Sequence, residues 1–129
     1  LDGIVYGVFV SLGFAWAENV IYVTHPILGG YETALERALL SVPGHGLFGV
    51  RMGYYFALGK YRNRKRYLPL AFFSPYLAHA LYNYFLLKRE PVFWLFFSVL
   101  EVRLWVFGLK RIKELQNCSP FREKVSKES

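Results

Sequence analysis

Four long apolar stretches, separated by short polar segments, constrain the fold of this chain more than any other feature. They cover about residues 4–23, 34–58, 68–87 and 92–109 of the 129 residues. A helix needs roughly 20 predominantly apolar residues to cross the hydrocarbon core of a bilayer, and each stretch has about that length. The sequence therefore predicts an all-α fold, a polytopic membrane bundle of about four transmembrane helices.

The composition favours a single membrane domain. Hydrophobic residues make up 54% of the chain and aromatic residues 19%, which is high for a soluble domain of this length. We place a transmembrane helical domain at residues 1–110 and a polar cytoplasmic tail at 111–129. One cysteine, Cys118, excludes a disulfide framework within the chain and a multi-cysteine metal site.

The start of the chain resembles neither a signal peptide nor a natural N-terminus. Leu1 stands where Met is expected, and apolar sequence begins without a basic region or a cleavage site. We therefore expect the chain to be part of a longer protein.

Basic residues predict the orientation in the membrane. The net charge is +7, and no Lys or Arg lies between Asn19 and Thr33. Because cytoplasmic loops carry an excess of Lys and Arg, we place the two basic regions in the cytoplasm of a multi-pass plasma-membrane protein. The turn at Lys88 and Arg89 disagrees, and the longer clusters outweigh it. The charge indicates contact with lipid headgroups, and no nucleic-acid partner is expected. The basic clusters are Lys60, Arg62, Arg64, Lys65, Arg66, Lys110, Arg111 and Lys113.

Polar and ionisable residues recur inside three of the apolar stretches. At about 1.5 Å of rise per residue, Glu18 lies roughly 9 Å and His45 roughly 15 Å below the outer ends of their spans. His79 and Asn83 lie roughly 13 Å and 8 Å deep, on one helix face because they are four residues apart. An ionisable group at this depth costs at least ~2.5 kcal/mol, so we expect a shared, water-reachable cavity open toward the outer half.

Glycines predict close approach of the first two helices. They lie at Gly3, Gly7 and Gly13 in the first stretch and at Gly44, Gly46, Gly49 and Gly53 in the second. Small residues let membrane helices pack backbone to backbone. Together with Pro43, they also predict a bend beside His45.

Several polar residues have structural interpretations. Asn19 can serve as packing glue between helices. Arg51 can act as a counter-ion or extend its charge toward the cytoplasmic surface. Glu36 and Arg37, at the outer start of the second stretch, are expected at the membrane interface.

An ordered set of motifs resembles the PrsW family of intramembrane proteases, distant relatives of the CAAX prenyl protease and bacteriocin-immunity superfamily. The motifs lie at residues 2–7, 13–19, 43–46 and 79–83, and the resemblance covers residues 2–87. The F-x-x-x-E-N motif falls on Phe14, Glu18 and Asn19, the mid-chain histidine on His45, and the H-x-x-x-N motif on His79 and Asn83. The family's paired-glutamate motif lies upstream of the first motif, so the resemblance implies a further N-terminal segment of the same protein.

The resemblance implies an intramembrane endopeptidase that cuts in or near a transmembrane segment of a membrane protein, such as an anti-sigma-factor-like regulator. The implied catalytic residues are Glu18, His45, His79 and Asn83, with Asn19 and Arg51 in substrate-binding or supporting roles. An upstream glutamate and one histidine would activate water, and Asn83 and the other histidine would stabilise the oxyanion. Glu18 would orient a histidine or act as the base.

Alternatives remain open in mechanism and in class. Glu18, His45 and His79 form a two-histidine, one-carboxylate set that could hold Zn²⁺. No H-E-x-x-H motif decides the matter, and we favour a metal-free glutamate mechanism with zinc as the alternative. A non-catalytic binding or immunity-type membrane module is a second class, which the missing glutamate pair favours for the chain taken alone. A small transporter is a third, although no inverted repeat accompanies it.

Overall fold

Helices dominate the structure. A computed structural model describes residues 1–28, 30–61, 63–88 and 90–117, and no strand occurs among them. The helices in chain order are α1 (Asp2–Thr24), α2 (Ala34–Glu36), α3 (Val42–Tyr61), α4 (Leu68–Lys88) and α5 (Pro91–Asn117). Short 3₁₀ turns lie at Pro26–Leu28, Gly30–Thr33 and Lys65–Tyr67, and a π-helix at Arg37–Ser41 leads into α3. The predicted all-α fold is confirmed.

The helices follow the predicted stretches closely. The second stretch, 34–58, comprises α2, the π-helix and most of α3. The fourth continues beyond the apolar residues, because α5 extends to Asn117 and so includes the first part of the predicted tail. Residues 118–129, with Cys118, lie outside the described residues. The division into a membrane domain and a cytoplasmic tail stays a prediction.

The outer surface of the bundle is apolar. Phe9 and Trp16 of α1 are each 72% exposed, and Leu95 of α5 is 64% exposed. A contiguous apolar surface of this kind is typical of helices that face lipid. Within the part of the chain that the structure describes, two helices, α1 and α5, are long and apolar enough to cross a bilayer. That α3 and α4 also cross the membrane stays a prediction.

Helix α3 is the centre of the bundle, since it packs against α1, α4 and α5. One apolar cluster joins α3, α4 and α5 through buried side chains that include Phe48, Tyr82 and Phe97. A second joins α1 to α3 through Ile4, Val50 and other buried residues. Every residue predicted to form the polar site therefore lies on α3 or on a neighbour of α3.

Glycines bring the backbones of α1 and α3 into contact. Gly3 and Gly7 on α1 face Gly49 and Gly53 on α3, each pair in a G-x-x-x-G spacing. A Cβ atom on Gly49 would lie 2.6 Å from the Cα of Val8, and one on Gly3 would lie 2.9 Å from the Gly53 carbonyl oxygen. The predicted close approach is confirmed for these four positions. Gly13 and Gly46 have nothing within 4 Å of such an atom and are not part of the contact.

The π-helix before α3 is related to Pro43. A proline in a helix lacks an N–H donor, and its ring meets the carbonyl group four residues earlier. Here that residue is Leu39, which lies inside the wider π turn. The sequence predicts a bend beside His45, and the irregularity occurs directly before Pro43, at Arg37–Ser41.

We predict that Gly7→Ala and Gly49→Ala each destabilise the protein by roughly 1–3 kcal/mol, because the added methyl group meets backbone atoms that cannot move aside. Thermal unfolding in detergent measures the effect. The matched controls are Gly13→Ala on α1 and Gly46→Ala on α3, where alanine should be neutral or stabilise by up to about 1 kcal/mol. Equal shifts for the two sets would contradict the packing described here.

Candidate functional site

Three helices bring together one carboxylate and two imidazole rings. Glu18 lies near the end of α1, His45 in the first turns of α3, and His79 in the middle of α4. Glu18 Oε2 is 3.5 Å from His45 Nε2, and Glu18 Oε1 is 3.6 Å from His79 Nε2. The two ring centroids are 4.8 Å apart. The convergence that the depth estimate predicts is therefore observed.

His45 is the most buried member of this cluster, with 3% of its surface exposed. Its Nδ1 lies 2.8 Å from the Ser41 carbonyl oxygen, so Nδ1 carries the proton that is donated. Among the described residues, Nε2 has no hydrogen-bond partner. A buried lone pair that faces a carboxylate at 3.5 Å needs a proton or a cation between the two.

Carbonyl groups of the π-helix are engaged by side chains. His45 donates to the carbonyl of Ser41, and the Tyr82 hydroxyl donates to the carbonyl of Leu40 at 2.8 Å. Ser11 of α1 donates to the carbonyl of His45 at 2.6 Å. The first two bonds engage backbone acceptors of the π-helix, and the Tyr82 bond holds α4 to it, whereas the Ser11 bond holds α1 to α3.

Arg37 pairs with the carboxylate from the π-helix. Its Nη2 donates to Glu18 Oε2 at 2.9 Å, and its Nε donates to Asn19 Oδ1 at 2.6 Å. The residue is 6% exposed and so is buried within the bundle. That Arg37 lies at the level of the membrane interface stays a prediction. Arg37 is buried because α1 supplies two acceptors at the level where the π-helix begins, and a paired guanidinium can remain away from water.

The spacing of residues in the sequence indicates that Arg37 lies on the same helix side as His45. Arg37 precedes Ser41 by four residues and His45 by eight, a spacing that puts all three on one side of a helix. What the sequence does not reveal is that this side faces Glu18.

The side-chain amide of Asn83 contacts a ring nitrogen of His79. Asn83 Nδ2 lies 3.0 Å from His79 Nε2, one turn along α4. Aromatic rings enclose both histidines: the centroid of Phe48 lies 5.7 Å from that of His45 and 5.4 Å from that of His79, and the Phe14 centroid is 5.9 Å from each. An amide and two imidazoles thus face one another within apolar walls.

An open cavity of about 240 Å³ adjoins the two histidines. Its walls come from α1, α3 and α4, and they are mainly apolar, with Phe14, Phe48 and Phe72 among them. Asn19 lines a separate cavity of about 520 Å³ between α1 and α3. Of the residues expected to share one cavity, His45 and His79 line this one, whereas Glu18 and Asn83 are not among its lining residues and Asn19 faces different space. That the cavity opens toward the outer half of the membrane stays a prediction.

Arg51 lies away from the carboxylate. Its Nε donates to Ser74 Oγ of α4, and its guanidinium lies 4.9 Å from the centre of the Phe107 ring on α5. Its contacts thus join α3 to α4 and α5, whereas Asn19 joins the site through Arg37.

The donor set suits a metal ion. Glu18, His45 and His79 each offer one ligand atom, and the three atoms lie within 4.8 Å of one another. Bonds of about 2.0–2.1 Å in tetrahedral geometry place the ligand atoms on zinc roughly 3.3 Å apart. The shortest separations here are 3.5 Å from Glu18 Oε2 to His45 Nε2 and 3.6 Å from Glu18 Oε1 to His79 Nε2, so the three residues need only small shifts to share one ion. The His45 Nδ1 bond to a backbone carbonyl is also the usual outer-shell arrangement of a metal-binding histidine.

The fold and this cluster define a class: a helical bundle with an apolar exterior and an interior site of one carboxylate and two histidines. A model of the family described as "PrsW family intramembrane metalloprotease" matches residues 1–108. The chain belongs to this family of integral membrane proteins. No solved structure matches it.

Curated relatives named "Protease PrsW" resemble most of the chain. The one from Oceanobacillus iheyensis is 44% identical over 87% of this chain and 51% of its own length. Those from Geobacillus kaustophilus and Bacillus subtilis are 41% and 39% identical, over 88% and 90% of this chain and 49% and 53% of their own lengths. The chain thus spans about half the length of the curated relatives it matches.

We predict that Tyr82→Phe lowers the free energy of unfolding by about 0.5–1.5 kcal/mol, because it removes the hydrogen bond to the partly buried Leu40 carbonyl. Thermal unfolding in detergent tests this. Tyr84→Phe is the control on the same helix, since Tyr84 is 49% exposed and should tolerate loss of its hydroxyl. A similar loss in both variants would argue against the role of the Tyr82 bond.

Proposed function

We propose that the complete protein is an intramembrane endopeptidase that hydrolyses a peptide bond in or near a transmembrane segment of a membrane protein. We place it in the plasma membrane as a multi-pass protein, with the basic loop and the end of α5 in the cytoplasm. An anti-sigma-factor-like substrate is a finer proposal that rests on the family resemblance alone. Membership of the family and the interior polar site support the proposal.

One observation carries it: the convergence of Glu18, His45 and His79 from three helices. Polar groups of this kind are costly in an apolar bundle, so they mark function more often than packing. Two of them line a cavity large enough to admit water and part of a peptide. The nucleophile of peptide hydrolysis, which is water, thus has a place beside the ionisable groups.

The chemistry assigns a role to each side chain. Hydrolysis needs a positioned water, a proton acceptor, and donors for the oxyanion of the tetrahedral intermediate. We assign water positioning to Glu18 and the two histidines. The Asn83 amide, 3.0 Å from His79 Nε2, can donate to the oxyanion instead of the ring. Asn19 and Arg51 are proposed to support this arrangement rather than take part in it.

The sequence favours the metal-free glutamate mechanism, but the close approach of Glu18, His45 and His79 leads us to propose the metal-dependent alternative. Glu18, His45 and His79 are the proposed ligands, and Zn²⁺ is the ion that such a donor set favours. When bound, the ion supplies Lewis-acid activation of water and of the scissile carbonyl. Metal ligands must be deprotonated, and the guanidinium of Arg37, 2.9 Å from Glu18 Oε2, is a suitable partner for a carboxylate in that form. The proton acceptor is then a further carboxylate, for which the paired glutamates implied by the resemblance are candidates.

We predict that the complete protein cleaves a tagged single-span substrate in proteoliposomes. Glu18→Gln, His45→Ala and His79→Ala should each lower the cleavage rate by about 100-fold or more, the range typical of lost acid, base or metal catalysis. Gel analysis of the tagged products measures the rate. His25→Ala is the control, since His25 is an exposed residue at the end of α1.

A chelator separates the mechanisms. Loss of cleavage with chelator that Zn²⁺ restores supports the metal-dependent form, and cleavage that persists with chelator supports the glutamate form. If the folded, complete protein cuts none of several substrates, the non-catalytic membrane module becomes the better proposal.

We also predict that the complete protein binds one Zn²⁺ through these ligands. Removal of a ligand in Glu18→Gln or His79→Gln should weaken binding by more than the roughly 10- to 100-fold typical of outer-shell changes. Competition with a fluorescent zinc indicator gives the affinity. His25→Gln should bind as the unaltered protein does, and equal weakening in all three variants would contradict the ligand assignment.

A further inference from the structure

Arg37 occupies an unusual position for an arginine of a membrane protein. Only 8% of its side chain is exposed, and it lies in the π-helix that precedes α3. Removing a guanidinium from water is costly unless its N–H groups find acceptors. The acceptors around Arg37 therefore identify the residues on which its burial depends.

The guanidinium is fixed at its edges and on its face. Its Nη2 donates to Glu18 Oε2 at 2.9 Å and to Ser41 Oγ at 3.3 Å. Its Nε donates to Asn19 Oδ1 at 2.6 Å, and its central carbon lies 3.8 Å from the centre of the Tyr22 ring. The last turns of α1 thus contribute a carboxylate, an amide and an aromatic face to a single cation.

Arg37 holds one oxygen of the Glu18 carboxylate. With Oε2 held by Arg37, Oε1 of Glu18 faces His79 Nε2 at 3.6 Å, and Oε2 remains 3.5 Å from His45 Nε2. We infer that Arg37 is a positioning residue, which fixes the orientation of Glu18 toward both histidines and balances its charge. The inference deepens the proposed function and rests on the same site.

Lysine cannot reproduce this geometry in full. A guanidinium offers several N–H donors in a rigid plane, whereas an ammonium group is a compact charge on a flexible stem. Lysine at position 37 can pair with Glu18, but it cannot hold Asn19 and Ser41 in the same plane. Arg37→Lys should therefore keep part of the effect, and Arg37→Gln should lose it.

Histidine ring nitrogens give a direct readout. We would label the complete protein with [¹⁵N]histidine in lipid bilayers, and assign the signals by single-histidine variants. Arg37→Gln should shift the ring ¹⁵N resonances of His45 and His79, because the carboxylate beside them moves. Arg37→Lys should shift them less, and His25 should not respond.

A matched arginine controls for general effects. Arg111, on α5, also pairs with a glutamate, Glu114, and its guanidinium lies over the aromatic ring of Tyr54. Arg111→Lys should leave the resonances of both site histidines unchanged. Melting temperatures of all variants show whether a change reflects lost folding.

Function gives the second readout. Zn²⁺ affinity should fall roughly 10- to 100-fold in Arg37→Gln, the range for loss of an outer-shell partner. In the cleavage assay kcat should fall and KM should change little, since Arg37 contacts Glu18 and not the cavity beside the histidines.

The double variant Arg37→Gln with Glu18→Gln decides whether Arg37 acts through the carboxylate. We expect Arg37→Gln to cause no further ¹⁵N shift once Glu18 has lost its charge. Unchanged histidine signals in a folded Arg37→Gln protein, or an undiminished shift in the double variant, would overturn the inference. If the unaltered protein neither cleaves nor binds Zn²⁺, the proposed function fails, while the ¹⁵N signals still decide the role of Arg37.

Discussion

The backbones of α1 and α3 touch at glycines, and this contact fixes the spacing of the two helices that carry Glu18 and His45. Gly7 and Gly49 leave no room for a Cβ atom between the two helices. Helices with larger side chains at these positions would lie farther apart by most of a side-chain diameter, because packing distance follows the residues at the contact. A carboxylate 3.5 Å from an imidazole on the neighbouring helix would then be out of reach.

A largely buried carboxylate, with 14% of its side chain exposed, explains the arrangement of the residues around it. Glu18 is surrounded by Arg37, His45 and His79, which supply a guanidinium and two imidazoles in an apolar bundle. The cost of burying its charge is offset only by such partners. The π-helix before Pro43 contributes to this, since it contains Arg37 and the Ser41 carbonyl that orients His45. The irregular backbone of the π-helix thus supplies groups that form the candidate site.

The residues predicted to form the site differ in how closely they contact the cluster of Glu18, His45 and His79. Glu18, His45 and His79 converge, and Asn83 joins them through His79. Asn19 is one step removed, because it contacts Arg37, and Arg51 lies against Ser74 and Phe107 instead. A polar residue inside an apolar helix is therefore a useful marker of a site, but its helix face determines whether it reaches that site.

The sequence alone determined the helices, the glycine contact and the similar level of Glu18, His45 and His79 along their helices, because apolar length and residue spacing are local properties of the chain. Only the tertiary structure decided that Arg37 is buried against Glu18 and that His45 Nε2 faces a carboxylate oxygen. These facts depend on the rotation of each helix about its axis. That rotation is set by the packing of all the helices together, which no single stretch of sequence contains.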